Sequence, residues 1–89
     1  MMRLSFDSSK DAANIAKHGV SLAEAEGIEW DTLWAFEDER RDYGETRMVS
    51  YAYIGLRLYC VVFTDRGDER RIISLRKANS REVKRYAEA

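Results

Sequence analysis

Eight of the fifteen basic side chains fall in residues 66–89: Arg66, Arg70, Arg71, Arg76, Lys77, Arg81, Lys84 and Arg85. Four acidic residues accompany them, which leaves this segment at +4, while residues 1–65 carry 7 basic and 12 acidic groups. A cationic density of that kind attracts phosphates even in a chain of net charge −1. The ordinary alternative is a solvated surface laced with ion pairs. RNA cleavage asks for little beyond such a cluster. The 2′-OH attacks its own phosphate, so a base, cations for the pentacovalent oxygens and an acid for the leaving 5′-oxygen suffice. Tyr43, Tyr51, Tyr53, Tyr59 and Tyr86 are available to stack on bases or to move protons. Tyrosine also favours half-buried strands, which is the structural reading of the same residues.

Other chemistries find less support. A nucleophile triad needs His beside Ser or Cys, and the single histidine, His18, stands next to Gly19 at an expected helix end. A positive charge there suits the helix dipole, so a structural role is preferred for it. Cys60 lies between Tyr59 and Val61 in an expected strand and reads as a small buried residue. One Cys and one His make neither an internal disulfide nor a zinc site, so no metal and no cofactor are expected. Glu37, Asp38, Glu39 and Asp42 offer a conceivable carboxylate pair, and a solvated loop accounts for them equally well. Isolated glycines in place of a Gly-rich phosphate loop argue against ATP- and NAD-dependent reactions. The start of the chain has no apolar stretch resembling a signal peptide, and no apolar run is long enough to span a membrane. A cytoplasmic protein is expected, with residues 1–89 forming a single small domain.

The elements that must position the cations follow from patterning. Residues 3–6 alternate as a short strand. Asp7 then caps a helix to Lys17, with Ala12, Ile15 and Ala16 as its apolar stripe, and Gly19 supplies a left-handed C-terminal residue. Ser21 and Glu24 form a capping-box signature after Val20, which predicts a second helix ending near Trp30. Strands are predicted over residues 32–39, 46–54, 57–64 and 69–77, with a polar loop from Asp38 to Gly44, a hairpin at Gly55 and a turn at residues 65–68. Asn79 caps a final helix, Glu82 sits three residues beyond it, and Val83 and Tyr86 are spaced to dock it. The order β-α-α-β-β-β-β-α is an α+β fold with a mainly antiparallel meander sheet, one face covered by helices and the other open.

Alternation along the last strand predicts Arg70, Ile72, Ser74 and Arg76 on one face and Arg71, Ile73 and Leu75 on the other. Arg76 and Lys77 stand at the strand end. Arg81 falls in the first turn of the next helix, a poor place for a cation but a good one for a phosphate, which Arg81 would then contact. Arg66 lies at the wrong end of that strand to join them unless the sheet edge curves.

These blocks also resemble a known family. Asp7-x-x-Lys10-x-x-x-Asn14-x-x-Lys17-His18-Gly19-Val20-Ser21 is followed by Tyr43-Gly44-Glu45-x-Arg47 and Val61-Val62-Phe63-Thr64-x-Arg66-Gly67. Arg71-Ile72-Ile73-Ser74-x-Arg76-Lys77-Ala78 and Glu82-x-x-x-Tyr86 complete the pattern, which is similar to the BrnT toxins over nearly the whole chain. The resemblance implies a RelE-like ribonuclease fold and an RNA-cleaving, translation-blocking toxin of a type II toxin–antitoxin pair. It further implies a BrnA-type antitoxin, a ribbon-helix-helix dimer that binds two toxins as a heterotetramer and carries the complex to operator DNA. Among matched positions, Arg47, Arg66 and Arg76 are assigned to phosphate binding and transition-state charge, with Lys77 as a weaker candidate and Glu45 as a possible base; Arg81, outside the matched positions, is a further weaker candidate for the phosphate. Lys17, His18 and Tyr86 are expected to help bind substrate. For Glu45 an ion pair with Arg47 is the competing reading. The acidic, aromatic stretch from Glu26 to Glu39 departs from the pattern.

Two further functions stay open at this level. The chain could be a catalytically inactive RelE-like binding module acting with a DNA-binding partner in operon repression. It could also be a plain RNA- or DNA-binding domain, with steep salt dependence and no cleavage.

Overall fold

The computed structural model describes residues 2–89. A short strand β1 (Arg3–Ser5) leads into helix α1 (Ser8–His18), and then four strands follow: β2 (Ile28–Glu37), β3 (Met48–Ile54), β4 (Arg57–Arg66) and β5 (Glu69–Lys77). Helix α2 (Ser80–Glu88) closes the chain. The sheet runs β1-β5-β4-β3-β2, antiparallel except for β1, which pairs parallel with β5. This is the α+β meander expected from the patterning.

The predicted second helix is instead a 3₁₀ segment, Leu22–Gly27, and β2 starts four residues earlier than expected. Leu22, Ala25 and Ile28 are all buried at a spacing of three. That spacing stacks on one face when there are three residues per turn, so the tighter helix buries the apolar set better than an α-helix would. Ser21 caps it as predicted, but Glu24 does not close a capping box. Asp11 of α1 takes that place, accepting from the Leu22 amide at 2.7 Å and the Ser21 hydroxyl at 3.0 Å. Gly27 then passes so near β3 that an added Cβ would lie 3.3 Å from Ile54 Cγ2.

Helix α1 also departs from its expected orientation. Asp7 caps it, accepting from the Ser9 and Lys10 amides, and Gly19 ends it at φ 73°. Its predicted stripe faces solvent, however: Ala12 and Ala16 are exposed and Ile15 is 46% exposed, while the buried residue is Asn14. β1 covers only the first three residues of β5, so the outer backbone edge of β5 beyond Arg71 would be open. Asn14 closes it. Its amide nitrogen donates to Leu75 O at 2.7 Å, its amide oxygen accepts from Leu75 N at 3.2 Å, and a further donation reaches Val20 O at 2.8 Å. The side chain thus replaces a strand partner.

The core forms between the sheet and the α1–3₁₀ layer, from Val20, Leu22, Ala25, Ile28, Ala52, Val61, Phe63, Ile72 and Leu75. A smaller cluster of Tyr51, Leu58, Cys60 and Ala78 lies on the opposite face, beneath α2. Tyr86 docks α2 by donating to Thr32 O at 2.5 Å and packing edge-on against Tyr53. Val83, expected to share that task, is 40% exposed.

Asn14→Ala should leave the Leu75 and Val20 groups without partners, costing about 2–4 kcal/mol. The expected outcome is a lowered urea midpoint at unchanged m-value, by equilibrium denaturation. An unshifted midpoint would show that the β5 edge is satisfied without Asn14.

Candidate functional site

The open face of the sheet is set by a β-bulge in β5. Val62 of β4 opposes Ser74 and Phe63 opposes Ile72, which leaves Ile73 as the extra residue. Regular alternation therefore fails across Ile73, and the predicted grouping of Arg70, Ile72, Ser74 and Arg76 is corrected. Arg70, Ile72 and Leu75 share the helix-covered face, with Arg70 stacked 4.2 Å from the Phe63 ring centre and paired with Asp65 at 2.8 Å. Arg71, Ser74 and Arg76 share the open face, in rows with Thr64, Val62 and Cys60 of β4.

At the α2 end of this face, Arg76 meets Glu82. Arg76 Nη1 and Nη2 each donate to one Glu82 oxygen at 2.8 Å, and Nη1 also reaches Lys77 O at 3.3 Å. Glu82 further accepts from the Asn79 amide at 2.9 Å, completing the predicted capping box, and from the Tyr51 hydroxyl at 3.1 Å. The Arg76 hydrogen bonds hold the Glu82 carboxyl down at about 2 against partial burial, and Glu82 in turn raises Arg76. Burial, then Cys60 and Glu82, push Tyr51 up to about 12. The anion seat at the α2 N-terminus is thus filled by Glu82, and Arg81 points its charge elsewhere, exposed on the helix.

Around Arg76 lie two adjoining cavities of about 530 and 490 Å³ that both include Lys17 and His18. The larger has an apolar floor of Phe36, Val49 and Val62, and Phe36 is 39% exposed. Trp34 stacks on Tyr51 beside it, with ring centres 5.9 Å apart. Lys77 joins the smaller cavity. Four sequence-assigned residues, Lys17, His18, Arg76 and Lys77, therefore converge here. At His18 the helix-terminal positive charge expected from the sequence is disfavoured. Burial first, then Lys17 and Arg76, lower its pKa from the ordinary value, which favours the neutral ring. Burial also pushes the Cys60 thiol up, in keeping with a small core residue.

The remaining assigned residues gather at the other end of the open face. Arg66 donates to both Glu45 oxygens, at 2.8 and 3.2 Å, so the partner of Glu45 is Arg66 and not Arg47. Those hydrogen bonds lower the Glu45 pKa, which weakens it as a base. Arg47 lies 3.9 Å over the Tyr43 ring instead. The loop between β2 and β3 is less solvated than its composition suggested. Asp38 is buried, and it accepts from Arg40 through both oxygens and from the Tyr43 hydroxyl, which together hold its carboxyl well below the usual range. Tyr86, assigned to substrate, is turned from α2 onto the sheet, where its hydroxyl donates to Thr32 O and its ring packs on Tyr53. Among the described residues no cluster of three His, Cys, Asp or Glu side chains is arranged to hold a metal, and no helix is long and apolar enough to cross a membrane.

Because the folded Glu82 pKa is depressed, its contribution to stability is complete above about pH 4.5, the unfolded value, and is lost as pH falls toward about 2. The expected outcome for Glu82→Gln is a loss of about 1–3 kcal/mol at pH 7 that shrinks progressively below pH 4.5, measured by urea denaturation at each pH. A gap that persists unchanged at pH 2 would show that the pair does not govern the difference.

Comparison with known proteins identifies the family and the fold. The profile of the family described as "Ribonuclease toxin, BrnT, of type II toxin-antitoxin system" matches residues 6–82. Among solved structures, the 1.1 Å crystal structure of the Brucella abortus ribonuclease toxin, BrnT, superposes with a TM-score of 0.71 at 26% sequence identity, covering 90% of this chain and 100% of that one. No curated protein sequence matches at a significant level. The matched span covers both cation groups of the open face and the strands that carry them, and the chain belongs to the BrnT family of type II ribonuclease toxins.

Proposed function

We propose that the chain cleaves RNA without a metal, by attack of a 2′-OH on its own phosphate, in the cavities around His18 and Arg76. The observation that carries this reading is the convergence of Lys17, His18 and Arg76 over an apolar, aromatic-flanked floor. Phe36 presents a surface on which one unpaired base can stack. His18, with its neutral ring favoured, takes the proton of the 2′-OH. The 2′-oxygen–phosphorus bond forms, the phosphorus–5′-oxygen bond breaks, and Lys17 beside it supplies the proton of the leaving oxygen. The products are a 2′,3′-cyclic phosphate and a free 5′-OH. An arginine has five N–H donors, of which Arg76 commits three to Glu82 and Lys77 O. The two that remain face the charge that develops on the pentacovalent phosphate, and the Glu82 clamp fixes their direction in advance.

Glu45 serves in this reading as the partner of Arg66 and not as the base. Arg47, Arg66 and Lys77 extend the cationic path along which the RNA backbone lies. The family implies an antitoxin, and we infer a BrnA-type ribbon-helix-helix dimer that forms a heterotetramer with two toxins and carries them to operator DNA. Inhibition of translation in the cytoplasm through RNA loss, on a RelE-like fold, completes the proposal.

Induced expression of the wild type should arrest growth with loss of RNA on a gel, and Arg76→Ala and His18→Ala should each relieve it. In vitro, His18→Ala should lower cleavage roughly 10²- to 10⁴-fold. A base must be unprotonated to act, so kcat/KM should rise with pH through a value below the ordinary histidine range and then level off. Arrest by all three proteins would move the chemistry elsewhere on the sheet. No arrest and no cleavage by soluble, folded wild type would leave the inactive binding module in its place.

A further inference from the structure

Two arginines on the open face have no carboxylate partner. Arg66 is held by Glu45, Arg76 by Glu82 and Arg70, on the covered face, by Asp65. Among the described residues, Arg47 and Arg71 make no ion pair, and the Nε–H of each is covered from solvent without a hydrogen-bond partner. A buried charged donor without a partner is costly, and two on one face call for a common explanation.

Their placement supplies one. Arg71 pairs directly across β4–β5 with Thr64. The β3–β4 register, which ends at Met48 opposite Phe63, brings Arg47 to the other side of Thr64. Arg47, Thr64 and Arg71 thus form one cross-strand row, its ends about 10 Å apart at the usual strand spacing. Thr64 is buried at 1% exposure; its hydroxyl donates to Thr46 O at 2.6 Å and also lies against the Glu45 carboxylate, so it is a floor and not a ligand. The Tyr43 ring, 3.9 Å from the Arg47 guanidinium carbon, braces that side chain by a cation–π contact. Two acids lie near enough to be felt. Asp7 is occupied by the Ser9 and Lys10 amides and Glu45 by Arg66, and neither bonds to Arg71 or Arg47.

We propose that Arg47 and Arg71 form a second phosphate subsite, over Thr64, that grips a backbone phosphate of the RNA apart from the one cleaved at Arg76. This inference rests on the ribonuclease reading for the identity of its ligand, and on the paired arginines alone for its anion. Arg71 and Arg76 pair with Thr64 and Cys60, four residues apart on β4, about 13 Å along the strand. The two sites are therefore served by different phosphates of one chain, and substrates too short to reach the second would lose affinity. Arg71 was not among the sequence-assigned site residues, because regular alternation placed it on the opposite face from Arg76.

Titration of the folded wild-type chain with inorganic phosphate, followed by the arginine Nε–H resonances in NMR spectra, tests the subsite itself. The Arg47 and Arg71 signals should move together and saturate, and Arg71→Gln should abolish the Arg47 response; independent or absent shifts would overturn the pair as a site. A second measurement tests the ligand, using single-stranded RNA with 2′-O-methyl groups that block cleavage. For Arg71→Gln the slope of log affinity against log salt should fall by about 0.7, and affinity at 0.1 M salt should drop about 5-fold. Arg71→Lys should restore much of the slope. RNA binding with an unchanged slope would overturn the RNA assignment and leave the anion for another macromolecule, such as an acidic or phosphorylated protein. Failure of the wild type to bind RNA at all, with the phosphate response intact, would instead sink the ribonuclease reading.

Discussion

One extra residue in β5 decides what this protein presents to its surroundings. With Ile73 bulged out of the pairing, Ile72 and Leu75 both reach the core, each at 1% exposure or less, while Arg71 and Arg76 both reach the open face. A regular strand could not do this, because residues 72 and 75 differ in parity and would lie on opposite sides of the sheet. Either Ile72 would face the open side or a neighbouring charge would enter the core, and burying an unpaired guanidinium is far more costly than one local kink. The bulge also ties the site to the core, since displacing it would shift every later side chain, Arg76 included.

The same face shows how a chain with net charge −1 gathers cations on one side of its sheet. Acids are spent in place. Glu82 fixes Arg76, Glu45 fixes Arg66, and Asp38 fixes Arg40 within the β2–β3 loop. These carboxylates convert flexible side chains into directed donors, while Glu37 and Glu39, which also line the larger cavity, stay outside any ion pair among the described residues. Glu29 and Asp31, by contrast, are exposed on β2, at the opposite side of the sheet from β5. Charge balance over the whole chain is therefore a poor guide to the potential over one of its faces.

Helix α1 serves the site through an edge and not through an apolar stripe. Asn14 pairs with the Leu75 backbone where β1 has stopped, which holds the helix beside β5 and carries Lys17 and His18 to the rim of the open face. Turned the expected way, with Ala12, Ile15 and Ala16 inward, α1 would bury small side chains and leave two backbone groups of Leu75 unpaired. The hydrogen-bond demand of the sheet edge outweighs the modest apolar area available from that stripe.

Much of this was legible in the order of residues. Strand alternation, the caps at Asp7 and Asn79, the left-handed Gly19 and the turn at Gly55 are local matters, settled by side-chain chemistry within a few positions. They specify the α+β order, and the Lys17-His18-Gly19 and Arg71-Ile72-Ile73-Ser74-x-Arg76 blocks specify the family. Other features were not local. The 3₁₀ segment follows from which side chains the sheet leaves room for, the bulge from two hydrophobic layers that must both be filled, and the partner of Glu45 from a loop folding back toward β4. Arg47 and Arg71 are 24 positions apart, and only strand pairing sets them on either side of Thr64. Residue types and short-range spacing determine which chemistry a chain can perform; which charges stand free and face one another depends on long-range register, and that is decided only when the sheet closes.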